Sequence, residues 1–132
     1  MEIIGSGLDA TEIARIASTL ERYGKRFVGR VFTDEEVAYC RRKRDTASSF
    51  AARFASKEAV MKALGTGIRG VRWRDIEIAR KPGGPPTVVL HGTALARAQG
   101  LGLDHLAVSL SHSQEYAVAF VVGDSPSGNN IP

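Results

Sequence analysis

The hydrophobic pattern of this 132-residue chain changes from helical to strand-like near its middle. As far as Leu64, apolar residues recur at spacings of about 3.6, which predicts helices over 10–27, about 33–44 and about 48–64. A short strand at 2–8 precedes them. Later segments alternate, which predicts strands at 74–80, 87–92, 105–112 and 115–122, with a short helix at 92–99. We therefore expect an α+β fold, with helices packed on one face of a mainly antiparallel sheet formed by the last four strands.

The length of the chain indicates a single domain, which we place at residues 1–123. The tail 124–132, DSPSGNNIP, has loop composition and is expected to be mobile. No apolar run approaches the length of a membrane span. The single cysteine, Cys40, excludes an intrachain disulfide and fits a reducing compartment, so we expect a cytoplasmic protein.

The net charge of +4 favours an anionic partner, such as nucleic acid, a phosphorylated small molecule or an acidic protein. Arg15, Arg22 and Arg26 fall within about 40° of one another on the first predicted helix. Such a stripe is either a solvated face or a surface that docks an acidic helix or nucleic acid. No RNA-stacking aromatic motif accompanies it, so an acidic protein is at least as plausible a partner as RNA.

Glu58 lies on the apolar face of the third predicted helix, about 80° from Phe50 on a helical wheel. The opposite side is predicted to hold Arg53, Lys57 and Val60. A carboxylate within an apolar stripe requires a cation, a metal or several hydrogen bonds. Glu58 is therefore either the partner of Lys62, one helical turn later, or a functional acid.

The segment GSGLDA, residues 5–10, formally matches a dinucleotide-binding fingerprint. Two helices follow it instead of a βαβ unit, and Asp9 would repel a diphosphate unless a cation such as Mg²⁺ lay between them. Asp9 alone would also suit a helix N-cap. Together with Glu58 and the glycine-containing loop 65–67, it suits a phosphate–metal site if the fold brings the two acids together.

A polar cluster near the C-terminus leaves two interpretations open. Adjacent strand residues point to opposite faces, which argues against a nucleophilic dyad of Ser111 and His112. The cluster is either an anion contact at a strand end or a polar hairpin turn. Its members are Ser109, Ser111, His112 and Ser113.

Three ordered blocks resemble the holo-[acyl-carrier-protein] synthases, the small bacterial type of 4′-phosphopantetheinyl transferase. They are GSGLDATEIAR at 5–15, FAARFASKEAVMKALGTG at 50–67 and SLSHSQEYAVA at 109–119. The resemblance spans about residues 1–122, and the middle block is the most specific. Ser6 and Ala10 depart from the family pattern, in packing beside Asp9 and not at the acid itself.

The resemblance implies a Mg²⁺-dependent transfer within fatty acid and lipid biosynthesis. The phosphopantetheine arm of coenzyme A moves to a serine of apo acyl carrier protein, and adenosine 3′,5′-bisphosphate leaves. Asp9 and Glu58 would bind Mg²⁺, and Glu58 would also orient or deprotonate the serine hydroxyl. Lys62 would neutralise charge on the phosphoryl group.

The resemblance also implies how the substrates and subunits bind. Arg53, Ser111 and His112 would hold coenzyme A, and Gly65, Thr66 and Gly67 would shape its nucleotide pocket. Arg15, Arg22 and Arg26 would face the acidic carrier protein. A homotrimer with active sites shared between neighbouring chains is expected, with no nucleic-acid or membrane partner. The competing hypotheses are a basic module that binds RNA or an acidic protein, and a nicotinamide-dependent oxidoreductase that rests on GSGLDA alone.

Overall fold

The computed structural model describes residues 1–125 and has the predicted α+β composition. Its elements, in chain order, are β1 (Glu2–Glu12), α1 (Ile13–Tyr23), α2 (Lys25–Val31), α3 (Asp34–Arg41), α4 (Thr46–Leu64), a 3₁₀ turn (Trp73–Asp75), β2 (Ile76–Arg80), β3 (Pro86–Leu90), α5 (Gly92–Gly100), β4 (His105–His112) and β5 (Tyr116–Ser125). Among these residues, no helix combines the length and apolar character needed to cross a bilayer.

The strands form two antiparallel sheets, so the prediction of one sheet from the last four strands is wrong. One sheet has the order β1-β5-β4, and β2 pairs with β3 in the other. The predicted hairpin between β4 and β5 is confirmed, but β1 pairs with β5 along almost its whole length, from Glu2 opposite Ser125 to Glu12 opposite Tyr116. β5 thus continues two residues past the predicted domain end, and residues 126–132 of the predicted tail lie outside the described part of the chain.

The predicted helix at 10–27 is replaced by the end of a strand and two helices. β1 continues to Glu12, which is the N-cap of α1, so Asp9 lies within a strand and is not a helix cap. Gly24 adopts a φ of 51°, a left-handed value that ends α1 before α2 begins. The segment GSGLDA lies entirely inside β1, which removes the geometric basis for a dinucleotide-binding turn.

Helix α4 is the central element of the fold and is buried on almost every side. The Asp45 side chain caps its start by accepting from the Ser48 N–H, and Gly65, with a φ of 72°, ends it. The side of α4 opposite the predicted apolar stripe is also covered, since Arg53, Lys57 and Val60 are all buried. Two apolar clusters pack against different stretches of α4, one with α1–α3 and the other with the strands and α5.

Strand β1 lies directly on the backbone of α4. A Cβ atom on Gly5 would overlap the carbonyl oxygen of Ala63, and one on Gly7 would overlap that of Ala59. Glycine is therefore required at both positions for this approach. Because alternate strand residues share a face, Asp9 points to the same side as these glycines and faces α4.

Candidate active site

Asp9 is held in place by contacts to both of its carboxylate oxygens. The Thr11 hydroxyl donates to Asp9 Oδ2 over 3.2 Å, and Lys62 Nζ lies 3.1 Å from Asp9 Oδ1. Lys62 Nζ also donates to the Leu8 carbonyl oxygen over 2.7 Å. The ammonium group of Lys62 is thus bound to the backbone and side chain of β1, although it is itself on α4.

Glu58 faces Asp9 across the contact between α4 and β1. Burial, followed by the charge of Asp9 and a hydrogen bond to it, raises the pKa of the Glu58 carboxyl to about 7, while Lys62 and Arg15 act in the opposite direction. The two distant acids therefore converge, as the phosphate–metal hypothesis requires. Two carboxylates that compete for a proton form a site at which a cation is favourable.

The donor set of this pair is chemically suited to Mg²⁺. That ion takes oxygen ligands and is usually held by one or two carboxylates together with substrate phosphates and water. Within residues 1–125, no group of three or more His, Cys, Asp or Glu side chains surrounds a common point. Asp9 and Glu58 would therefore supply the protein ligands, and the remaining positions would stay open to a phosphorylated substrate.

The alternative of a simple Glu58–Lys62 pair is not what the structure forms. The ion pair of Lys62 is with Asp9, and the Lys62 side chain is 53% exposed while that of Asp9 is 13% exposed. The ammonium group therefore lies at the mouth of the carboxylate pair, where it is accessible to an anionic ligand from solvent.

A second part of the site is a cationic pocket near the N-terminal half of α4. The pocket has a volume of about 280 Å³, and both Arg53 and His112, which the resemblance assigns to coenzyme A, line it. Its other basic lining residues are Lys43, Arg44 and Arg80. Five basic side chains around one pocket favour an anion with several charges.

Arg53 is the most informative residue of this cationic pocket. Only 3% of it is exposed, and its Nε and Nη2 atoms have no hydrogen-bond partner within the described residues. Its guanidinium carbon lies 4.1 Å from the centre of the Tyr39 ring, which fixes the orientation of the group. Buried donors without partners are costly, so the free edge of this guanidinium indicates a place for phosphate oxygens.

Two predicted coenzyme A contacts lie away from this pocket. Ser111 is exposed on the outer face of the sheet and does not line the pocket that His112 enters, because neighbouring strand residues alternate. The loop of Gly65, Thr66 and Gly67 follows the C-terminus of α4. Since α4 rises about 1.5 Å per residue, this loop is about 18 Å from Arg53 along the helix axis.

The residues of the polar cluster near the C-terminus do not all have the same role: one forms the hairpin turn and another lines the cationic pocket. The Ser113 hydroxyl oxygen accepts from the Glu115 and Tyr116 N–H groups over 3.3 and 3.2 Å, so this residue forms the turn between β4 and β5. His112 lines the cationic pocket instead. Ser109 and Ser111 lie on the exposed outer face of β4.

The three predicted partner-binding arginines are all exposed, but they do not share one helix. Arg15 and Arg22 lie on α1, and Arg26 lies on α2, beyond the break at Gly24. Arg15 is close enough to the acid pair to lower the pKa of Glu58, so the arginine-bearing surface begins beside the candidate metal site.

Sequence reasoning missed a fully buried ion pair between Lys57 and Glu36. Lys57 Nζ lies 2.6 Å from Glu36 Oε1 and also donates to the carbonyl oxygens of Val31, Trp73 and Ile76. Glu36 accepts in turn from the Ile78 N–H. The capping box that begins at Thr33 was a signal for Glu36, but no local pattern indicates its buried partner on α4.

Comparison with known proteins identifies the family. The model of the 4′-phosphopantetheinyl transferase superfamily matches residues 5–121. A holo-[acyl-carrier-protein] synthase of Koribacter versatilis is 52% identical over 121 residues, 91% of this chain and 97% of the relative. One of Solibacter usitatus is 46% identical over 121 residues, with the same shares of both chains.

Two solved structures have the same fold over nearly the whole chain. The holo-[acyl-carrier-protein] synthase of Neisseria meningitidis superposes with a TM-score of 0.84 at 35% identity, covering 93% of this chain and 99% of that one. The Helicobacter pylori enzyme, solved in complex with coenzyme A, has a TM-score of 0.80 at 32% identity, covering 90% and 99%. This chain belongs to the 4′-phosphopantetheinyl transferase superfamily and, within it, to the holo-[acyl-carrier-protein] synthases.

Proposed function

We propose that this protein transfers the 4′-phosphopantetheine group from coenzyme A to a serine of apo acyl carrier protein in a Mg²⁺-dependent reaction. The convergence of Asp9 and Glu58, with Lys62 at the mouth of the pair, is the observation that most supports the chemistry. We place the reaction in the cytoplasm, within fatty acid and lipid biosynthesis, because the chain has a single cysteine and its relatives act on acyl carrier protein.

The reaction exchanges one phosphorus–oxygen bond for another. The serine oxygen attacks the phosphorus atom that bears the pantetheine arm, the bond from this atom to the bridging oxygen breaks, and adenosine 3′,5′-bisphosphate leaves with that oxygen. Glu58 orients the serine hydroxyl and receives its proton, directly or through water. Lys62 offsets the charge that develops on the phosphoryl oxygens.

Asp9 and Glu58 would hold the Mg²⁺ ion that this chemistry requires. Bound there, the ion would neutralise the diphosphate of coenzyme A and favour displacement at phosphorus. Thr11 contributes by fixing Asp9 Oδ2, which leaves Oδ1 directed towards Lys62. The protein thereby aligns its acids before the substrate arrives.

We propose that coenzyme A binds across two neighbouring chains of a homotrimer. Arg53 and His112 would take phosphate groups, and the loop of Gly65, Thr66 and Gly67 would contact the nucleotide. Within one chain these groups are about 18 Å apart along α4, a separation that favours a site completed by a neighbour. Ser111, on the outer sheet face, would then lie close to the boundary between chains.

The outer face of the three-stranded sheet supports this assembly. It exposes large apolar side chains, a pattern typical of surfaces that pack against another chain. Leu8 of β1 lies directly opposite Phe120 of β5 on this face, and their exposures are 59% and 46%. Tyr116 and Val118 extend the apolar surface along β5.

The direct test is the mass of a carrier protein after incubation with this protein, coenzyme A and Mg²⁺. We expect the apo carrier to gain the mass of one phosphopantetheine unit, and a carrier whose acceptor serine is replaced by alanine to gain nothing. Failure to modify any of several apo carriers, under conditions in which a known relative modifies them, would contradict the proposed function.

A further inference from the structure

The first residues after α4 are held in place by a side chain of α5, a contact that the proposed mechanism does not use. Arg97 lies in the last turn of α5, and its Nε donates to the Leu64 carbonyl oxygen over 2.9 Å. Leu64 is the last residue of α4, the helix that also carries Glu58 and Lys62. Among residues 1–125, Arg97 has no other hydrogen bond and no ion pair. Its guanidinium group therefore acts on one backbone group, at the end of the helix that bears the candidate site.

This contact completes the C-terminal cap of α4. The last four carbonyl groups of a helix have no donor within the helix itself. In α4, the Thr66 N–H donates to the Met61 carbonyl oxygen over 3.1 Å. The Gly65 N–H donates to the Lys62 carbonyl oxygen, also over 3.1 Å. The Leu64 carbonyl oxygen instead has its donor on another element, α5. A positive side chain is favourable at this position, because the C-terminal end of a helix carries partial negative charge.

The loop that follows this cap contains two glycines, so its order depends on a few contacts. Gly65 and Gly67 adopt φ values of 72° and 64°, left-handed values that glycine adopts without strain. Neither has a side chain that could pack, and ordering glycine carries a high entropic cost. The Thr66 hydroxyl donates to the Gly67 carbonyl oxygen over 3.0 Å, which fixes the middle of the loop. A Cβ atom on Gly65 would lie 3.5 Å from Arg97 Nη2, so the guanidinium group covers the start of the loop.

Arg97 projects from a helix that is itself fixed at both ends. Ala94 and Ala98 of α5 are buried and belong to the apolar cluster that packs against the second half of α4. At the start of α5, the Thr93 hydroxyl and N–H both donate to the Asp75 carboxylate. The side chain that holds the loop is therefore connected to the core of the protein, which makes it an effective anchor.

We propose that Arg97 is a positioning residue for donor binding, which holds loop 65–67 in the conformation that contacts the nucleotide of coenzyme A. This inference rests on the proposed function for the identity of the ligand. A loop that is already ordered loses less entropy when the nucleotide binds. Arg97 thus lowers the Kd for coenzyme A, while the transfer step, at Glu58 and Lys62, proceeds without it.

The test compares Arg97→Leu with Arg97→Lys, and uses Arg41→Leu as the control. Lysine keeps the positive charge and a donor for the Leu64 carbonyl oxygen, whereas Arg41 is likewise an exposed arginine in the last turn of a helix, α3. By calorimetry, the Kd values for adenosine 3′,5′-bisphosphate and coenzyme A should both rise about fivefold or more in Arg97→Leu. They should rise less than about threefold in Arg97→Lys and less than about twofold in the control. The kcat and the KM for apo carrier protein should stay within about twofold in all three.

Hydrogen exchange of the loop amides, followed by mass spectrometry, measures the anchoring itself and needs neither carrier protein nor turnover. We expect faster exchange over residues 65–70 in Arg97→Leu than in the wild-type protein, and no change there in Arg41→Leu. Unchanged exchange of the loop in Arg97→Leu would overturn the inference. Faster exchange with an unchanged Kd for coenzyme A would also overturn it, because the order of the loop would then not affect donor binding.

The same variants distinguish this inference from the proposed function. Absence of carrier modification by the wild-type protein would refute the function, whereas coenzyme A affinity and loop exchange can still be compared between variants. A Kd that rises as much in Arg41→Leu as in Arg97→Leu would attribute the effect to net charge and overturn the role of Arg97. A fall in kcat with an unchanged Kd would contradict it as well, since Arg97 would then act in the chemical step.

Discussion

The ammonium group of Lys57 lies 2.6 Å from the carboxylate of Glu36, and neither side chain has any exposed surface. The pair joins α4 to the capping box of α3, and the carbonyl groups that surround Lys57 belong to the end of α2, the 3₁₀ turn and β2. Lys57 directly precedes Glu58 in the chain. The contact therefore fixes α4 from one side while β1 packs against the helix near Glu58.

Removing one partner of this buried pair should strongly destabilise the fold. We expect Lys57→Met to lower the free energy of unfolding by about 3–5 kcal/mol, because Glu36 would remain buried without a cation. Urea denaturation measures the change. The exposed Lys81→Met serves as the control and should change stability by less than about 0.5 kcal/mol. A loss below about 1 kcal/mol in Lys57→Met would show that the pair contributes little.

The double variant Lys57→Met/Glu36→Leu tests whether the loss comes from the stranded charge. Replacing both groups by apolar side chains should restore a substantial part of the stability lost in Lys57→Met. The free energy of unfolding lost in the double variant could instead equal the sum of the losses in Lys57→Met and Glu36→Leu alone. That result would indicate that Lys57 acts mainly through its three backbone acceptors.

The approach of β1 to α4 predicts opposite effects for two glycine substitutions. Gly7→Ala should cost about 3 kcal/mol or more and displace Asp9, because its new methyl group would overlap the Ala59 carbonyl oxygen. Gly29→Ala, on α2, meets no atom within 4 Å and should stabilise the protein by about 0.5–1 kcal/mol through helix propensity. Thermal unfolding of the two variants measures both effects. Equal stability of the two would contradict the described β1–α4 contact.

Sequence patterns were sufficient for local features of the fold. The capping box at Thr33 and Glu36, the glycine that ends α4 and the β4–β5 hairpin are all confirmed, because neighbouring residues determine each of them. The length of β1 and its pairing with β5 were not predicted. These features depend on residues more than a hundred positions apart, and strand pairing prevailed over the helical pattern after residue 10.

The candidate site was predictable to a similar extent. The position of Glu58 on the apolar face of its helix follows from helical periodicity. Its meeting with Asp9 depends on backbone contact at Gly5 and Gly7, which no local pattern specifies. The buried environment of Arg53 was also unpredictable, because Tyr39 of α3 covers a side of α4 that the helical wheel places opposite the apolar stripe.

Replacing Arg53 should weaken coenzyme A binding without lowering the stability of the free protein. In the absence of ligand, Arg53→Met should be as stable as the wild-type protein or more stable, because it removes buried donors that lack partners. The same variant should raise the Kd for coenzyme A about tenfold or more, measured by calorimetry. A variant that is destabilised yet binds coenzyme A normally would show that Arg53 is a structural residue.

The contact between Asp75 and Thr93 should make stability depend on pH. Hydrogen bonds from the Thr93 side chain and N–H lower the pKa of Asp75, so the ionised form is favoured in the folded state. The resulting stabilisation is present above the unfolded pKa, about 4, and is lost as the pH falls through the lower folded value. Thr93→Val should cost about 1 kcal/mol at pH 7 and progressively less below pH 4.

Urea denaturation between pH 2.5 and pH 7 measures this dependence, with Thr87→Val on β3 as the control. The Thr87 hydroxyl donates to a backbone carbonyl and contacts no carboxylate among the described residues, so its small effect should not vary with pH. An effect of Thr93→Val that stays constant with pH would mean that its bond to Asp75 does not depend on the charge of the carboxylate.

The claim that Asp9 and Glu58 together bind a divalent cation against the diphosphate is tested most directly by titrating Mg²⁺ into the protein saturated with coenzyme A. Isothermal calorimetry should show one Mg²⁺ bound per active site in the wild-type protein, with binding lost in both Asp9→Asn and Glu58→Gln while coenzyme A is still bound. Mg²⁺ binding of unchanged affinity and stoichiometry in either variant would contradict the account.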